Sequence, residues 1–163
     1  MLNSQGVYNK KRILVITGTT GFDSLVKSID AARELENDYE IVLQTGEGKY
    51  LPRHKKYFAF DADLKQKLGD YDYFVTHAGA GTIFMLLEYR KPVLVVPNTE
   101  RADKHQTELA GYVGSNSLCA VCDKVEHVAD SIQNIAQLTA NLRPYAKVEF
   151  FAARDILDYI YHG

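Results

Sequence analysis

Tyr73-Phe74-Val75-Thr76-His77-Ala78-Gly79-Ala80-Gly81-Thr82 is the stretch on which the reading of this chain turns. Its first four residues have the aromatic and β-branched character of a short buried strand, and a turn of small residues follows at once. Gly79 and Gly81 let the backbone approach a ligand closely, while Thr82 opens a helix expected to run from Gly81 to Tyr89. Free N–H groups at such a helix start favour an anion by roughly 0.3 to 1 kcal/mol, more when partly buried. Thr82 adds a hydroxyl donor, and His77 stands where strand passes into loop. For a bare Gly-x-Gly, a turn that merely packs a helix on a sheet is the competing reading.

Outward from this loop, apolar runs alternate with amphipathic stretches. Arg12 to Thr17, Glu40 to Gln44, Tyr57 to Phe60, Pro92 to Val96 and Leu118 to Cys122 read as further strands. Helical spacing is expected from Asp23 to Asn37, with Leu25, Val26, Ile29, Ala32 and Leu35 on one face. Further helices are expected from Ala62 to Leu68, from Asp103 to Val113, over 125–140 and over 146–161. This alternation predicts an α/β fold, a Rossmann-like doubly wound parallel sheet forming a single domain over 1–163. Ligands of such sheets bind beyond the carboxyl ends of the strands, where strand order reverses. For a 3-2-1-4-5 order that point lies between the first and fourth strands. The two turns there, Gly18-Thr19-Thr20-Gly21 and His77 to Thr82, are also the richest in glycine and threonine.

Composition narrows the function classes. The chain has 163 residues, 46% of them apolar and 25% charged, enough for one good core. A net charge of −2, with cations scattered among acids, gives no field for nucleic acid, which is not expected as a partner. No apolar run approaches the roughly 18 to 20 residues of a membrane span, and Met1 to Lys11 is too polar for a signal peptide, so a cytoplasmic chain is expected. Cys119 and Cys122 form a lone C-x-x-C in a strand-like run with no second pair for zinc, and buried reduced thiols are expected. No metal or other cofactor is expected.

Three segments in order carry a family resemblance. Val75 to Ile83, Lys91 to Asn98 and Asp103 to Ala110, preceded by Val15 to Leu25, resemble the C-terminal domain of family 28 glycosyltransferases. Within that family the likeness is to stand-alone donor-binding subunits of two-part enzymes, both the PssE-type subunits of exopolysaccharide synthesis and the soluble subunit of the dolichol-linked GlcNAc transferase. The resemblance implies the C-terminal half of a GT-B fold holding a UDP-sugar. Gly18, Thr19, Thr20 and Gly21 would then flank the diphosphate together with His77, Gly79, Ala80, Gly81 and Thr82, with Asn98 nearby. Gln106, preceded by His105, would reach the sugar hydroxyls, since an amide both donates and accepts. The family's ribose carboxylate falls at Met85 here. Glu88, three residues on along the same face, either replaces it or is a solvated helix residue.

The resemblance further implies inverting transfer of a hexose to a lipid-linked acceptor held by a membrane-associated partner subunit, which would recruit this chain to the inner face of the membrane. The general base would reside in the partner, with His77 a local catalytic candidate. The helix over 146–161, apolar on more than one face, would either meet that partner or merely seal its own sheet. Three other readings compete. Thr17 to Phe22 is similar to the NAD turn of short-chain dehydrogenases, but Asp23 stands where a glycine belongs and no Tyr has a Lys four positions later. Asp61-Ala62-Asp63 could hold a metal as in GT-A enzymes, or cap the next helix. A non-catalytic nucleotide-sugar-binding or enhancer subunit is the third, with Arg53-His54-Lys55-Lys56 as a docking patch or a solvated basic loop.

Overall fold

A computed structural model describes residues 9–100 and 104–146. Six parallel strands form one sheet in the order β3-β2-β1-β4-β5-β6. They are β1 (Lys11–Ile16), β2 (Tyr39–Gln44), β3 (Lys56–Phe58), β4 (Tyr73–Thr76), β5 (Val93–Val95) and β6 (Ala120–Val121). The order expected from the alternation is the order found, with β6 added beside β5. Because β1 pairs with both β2 and β4, the chain reverses its direction of winding between β1 and β4.

The strands are hydrophobic on both faces because helices cover both. On β1, Ile13 and Val15 pack with α1 (Asp23–Ala31) and α5 (Val128–Gln133), while Leu14 and Ile16 pack with α3 (Ala80–Glu88) and α4 (His105–Ser115). Phe74, Ile13, Leu14, Leu25, Leu43, Ile83 and Leu94 are fully buried. Each such side chain contributes about 1.5 to 3 kcal/mol on removal from water. Cys119 and Cys122 flank β6, buried in the two opposite layers, and both thiols are free. Burial pushes the Cys119 thiol up to about 12, which keeps it protonated and inert.

Three elements differ from their sequence patterns for identifiable reasons. The helix expected from Asp23 to Asn37 stops at Ala31, and a 3-10 turn covers Arg33–Asn37. There the Lys55 ammonium donates to the carbonyls of Asp30 (3.3 Å) and Ala32 (3.1 Å), taking acceptors that a continuing helix would use. The stretch 125–140 is divided into a 3-10 turn at Val125–His127, α5, and α6 (Ile135–Thr139). The break falls at Asn134, whose amide caps the Asp130 carbonyl at 2.9 Å. Ala62 to Leu68 shrinks to α2 (Leu64–Lys67) and a further 3-10 turn. Asp103, where a helix start was expected, and residues 147–161 of the expected partner-facing helix lie outside the described residues. No helix among the described residues is long and apolar enough to cross a membrane.

Candidate functional site

The site forms where β1 and β4 end side by side. Thr76 closes the strand end by donating to the Ile16 carbonyl at 2.8 Å, and Thr17 donates to the Gln44 carbonyl at 2.8 Å, so neither hydroxyl faces the crevice. Beyond them rise the turn Gly18 to Gly21, leading into α1, and the turn His77 to Gly79, leading into α3. Gly18 and Gly21 adopt φ of 73° and 77°, a region other residues occupy only at a cost.

The His77 ring explains two of the glycines. A Cβ on Gly18 would stand 2.7 Å from His77 Cε1, and one on Gly79 would overlap His77 Nε2. The half-buried imidazole is thus clasped between the two turns. Its Nδ1 lies 3.4 Å from both the Ile16 carbonyl and the Thr76 hydroxyl. Gly81 is different. It is exposed on the first turn of α3, and a Cβ there would meet nothing within 4 Å. Packing therefore does not require a glycine at 81, whereas close approach of a ligand would.

The α3 start is open toward the crevice. Ile83 is the first amide to bond back, to the Gly79 carbonyl at 3.0 Å, and no side chain caps the helix. Ala80, Gly81 and Thr82 hold the amides that helix geometry leaves over. We predict that Gly81→Ala raises thermal stability or leaves it unchanged, since alanine is the better helix former by about 1 kcal/mol. Affinity for a nucleoside diphosphate, read by calorimetry, should fall at least about tenfold. A variant that binds as tightly as the parent would remove Gly81 from the site.

Two further residues meet at the neighbouring strand end. Asn98, just past β5, is buried; its backbone amide donates to Gln106 Oε1 at 2.9 Å, and its own Oδ1 accepts from the Glu100 amide at 3.1 Å. Gln106 and His105 occupy the first turn of α4, both half-buried. With its oxygen committed to Asn98, Gln106 presents its NH2 group as a donor.

Glu88 is not brought to this crevice. It is the exposed last residue of α3, eight residues and about 12 Å along the axis from Ala80. Met85 packs against the α3 and α4 layer instead of offering a polar group. The carboxylates of Asp61-Ala62-Asp63 are spent locally, Asp61 accepting from the Asp63 amide at 2.9 Å and pairing with Lys67.

A third glycine turn was missed in the sequence. Thr45-Gly46-Glu47-Gly48, following β2, packs directly behind Gly18 and Thr19. Glu47 donates its amide to the Thr19 carbonyl at 2.7 Å, and Gly46 has φ 56°. The Gly-Glu-Gly spacing directly after a strand was the available signal. Asp23, in the first turn of α1, turns its carboxylate to this loop and accepts from the amides of Lys49 and Tyr50, each at 3.1 Å.

The basic run at 53 to 56 is also accounted for. Asp30 is wholly buried and accepts from Tyr50 Oη (2.8 Å) and from the amides of Arg53 (2.9 Å), His54 (3.0 Å) and Lys55 (3.0 Å). Lys55 is itself buried. The backbone of this segment is a strap tied to α1, while the side chains of Arg53, His54 and Lys56 stay exposed to solvent.

A doubly wound parallel sheet with two glycine turns at the carboxyl ends of its central strands is the architecture on which nucleotide-binding domains are commonly built. The glycosyltransferase family 28 C-terminal domain model matches residues 12–156, and the chain belongs to that family. The mouse UDP-N-acetylglucosamine transferase subunit ALG13 is 38% identical over 112 residues, covering 61% of this chain and 10% of that protein. The pyrophosphoryl-undecaprenol N-acetylglucosamine transferase of Streptococcus thermophilus is 36% identical over 106 residues, covering 63% of this chain and 30% of that enzyme. The chain thus spans only a minor part of the length of these curated relatives. The solution structure of ALG13 superposes with a TM-score of 0.63 at 20% identity, covering 93% of this chain and 98% of the other. The fold is the C-terminal, Rossmann-like half of a GT-B glycosyltransferase.

Proposed function

We propose that this chain is the UDP-sugar-binding subunit of a two-component inverting glycosyltransferase that acts on a lipid-linked acceptor bound by a partner polypeptide. One observation carries the reading: the His77 ring, clasped by Gly18 and Gly79, gathers both glycine turns at the mouth of one crevice beside the open start of α3. The relatives' printed names, a UDP-N-acetylglucosamine transferase subunit and a pyrophosphoryl-undecaprenol transferase, support the donor and the acceptor class.

In this reading the diphosphate lies against the amides of Ala80, Gly81 and Thr82, with the Thr82 hydroxyl and the exposed Thr19 and Thr20 beside it. An acceptor hydroxyl attacks the anomeric carbon from the face opposite the diphosphate. The bond from that carbon to the phosphate oxygen breaks, and its electron pair leaves with UDP. Helix-start amides already aimed at the leaving group stabilise the charge that develops there without reorganising. The Gln106 amide donates to a sugar hydroxyl. The acceptor proton passes to a base on the partner, because His77 is enclosed by the turns on the donor side.

Gln106→Ala, co-expressed with the partner, is expected to lower sugar transfer roughly 10- to 100-fold while assembly is retained, the cost of one lost hydrogen bond to a developing or bound polar group. Transfer at the parental rate would count against the donor-subunit reading and favour a non-catalytic enhancer. UDP must also bind more tightly than GDP or TDP; equal affinities would overturn the nucleotide assignment.

A further inference from the structure

The strap that Asp23 and Asp30 tie to α1 has a composition unlike the rest of the chain. From Gly48 to Phe60 there is no acid, while Lys49, Arg53, His54, Lys55 and Lys56 fall within it, in a protein of net charge −2. Among the described residues, three of the five large apolar side chains left exposed also lie there: Leu51 at 66%, Tyr57 at 46% and Phe60 at 74%. Tyr57 lies on β3, the edge strand, and Leu51 and Phe60 come before and after it in the chain.

The clamp explains why these groups stay outside. Five strap amides, those of Lys49, Tyr50, Arg53, His54 and Lys55, are held by two carboxylates seven residues apart on one face of α1. With its backbone fixed in this way, the strap cannot turn Leu51 inward. Buried Lys55 is taken up by the α1 carbonyls, so the outward cations are Lys49, Arg53 and Lys56. Lys56 reaches Glu40 at 3.3 Å, whereas Lys49 and Arg53 have no salt bridge among the described residues.

We propose that this strap docks the domain on an anionic lipid surface. Leu51 and Phe60 would enter the headgroup layer, with Lys49 and Arg53 set against lipid phosphates. The apolar groups are single protrusions between long cationic stems, an arrangement that suits a fluid, negatively charged interface better than the packed core a protein partner requires. The proposal rests on the strap alone and does not depend on which donor fills the crevice.

The test is co-sedimentation of the full chain with vesicles of phosphatidylcholine, alone or mixed with phosphatidylglycerol. Binding is expected to the mixed vesicles, at least about tenfold weaker to the neutral ones, and falling as salt is raised. Each cation near such a surface is worth about fivefold, so K49E with R53E should weaken binding at least roughly 25-fold. L51S with F60S should also weaken it, and Y89S with L138S, away from the strap, should not. Circular dichroism of each variant checks that it is folded. No binding to mixed vesicles, or binding untouched by both strap pairs, would overturn the proposal. So would strap variants that keep vesicle binding but no longer co-purify with the partner polypeptide, because the surface would then be a protein interface.

Discussion

Gly46→Ala is expected to destabilise the protein by about 3 kcal/mol or more, seen as a fall of roughly 6 to 12 °C in the thermal midpoint. Two costs add. Alanine at φ 56° costs about 1 to 2 kcal/mol in the left-handed region. Its Cβ would also stand 2.5 Å from the Thr19 carbonyl oxygen and closer still to that of Gly18. Both obstacles are backbone, so no side chain can swing aside, and the turn behind Gly18 and Thr19 must move. Donor affinity should fall with stability, which separates this variant from Gly81→Ala, where the two move apart. A midpoint within a degree of the parent would show that the third glycine turn does not brace the first.

Replacing the buried Asp30 with Asn should cost about 3 kcal/mol at neutral pH, measured by urea unfolding. Four donors converge on its two oxygens, and an amide keeps one oxygen while turning its own N–H groups against donors. The parent should show a matching pH dependence. Burial alone would raise the Asp30 carboxyl, but the amides of Arg53, His54 and Lys55 and the Tyr50 hydroxyl bind its ionised form and hold it below the ordinary carboxylate value. A depressed folded-state value means that the unfolded chain takes up the proton first. The stabilisation is therefore complete above the unfolded value near 4 and is lost as pH falls through the folded value. Asp72, held down in spite of its burial by the Arg12 amide and the Lys11 ammonium, contributes in the same window. Asp30→Asn should flatten part of this acid limb. An unchanged slope below pH 4, or a loss under about 1 kcal/mol, would mean that the strap is not held by this carboxylate.

The parts of this molecule that were legible in its sequence are those set by local pattern. Ile13, Leu14, Val15 and Ile16 announce a strand buried on both sides because apolar groups fall on both parities. Gly79 and Thr82 announce a turn into a helix because their spacing alone carries that geometry. Strand order followed because parallel crossovers leave few arrangements. What stayed hidden depends on contacts between residues about 25 positions apart. Nothing near Asp30 in the sequence says that Arg53, His54 and Lys55 will lend it their amides, and nothing near Ala32 says that Lys55 will end its helix. Of the four basic residues at 53 to 56 three are solvated as their composition suggests, and only the burial of Lys55 was hidden, because composition reports charge but not which ammonium is buried. Glu88 shows a related limit: three-residue spacing gives the right face of a helix but not the distance along it.

The clasp around His77 binds the histories of three positions together. Any side chain larger than hydrogen at 18 or 79 collides with the ring, and losing the ring opens a gap between the two glycine backbones, the Ile16 carbonyl and the Thr76 hydroxyl. A lineage wishing to alter one of the three must pass through an intermediate that is either crowded or hollow. The mouth of the crevice therefore behaves as one steric unit, in which a change at any of the three positions is felt at the other two.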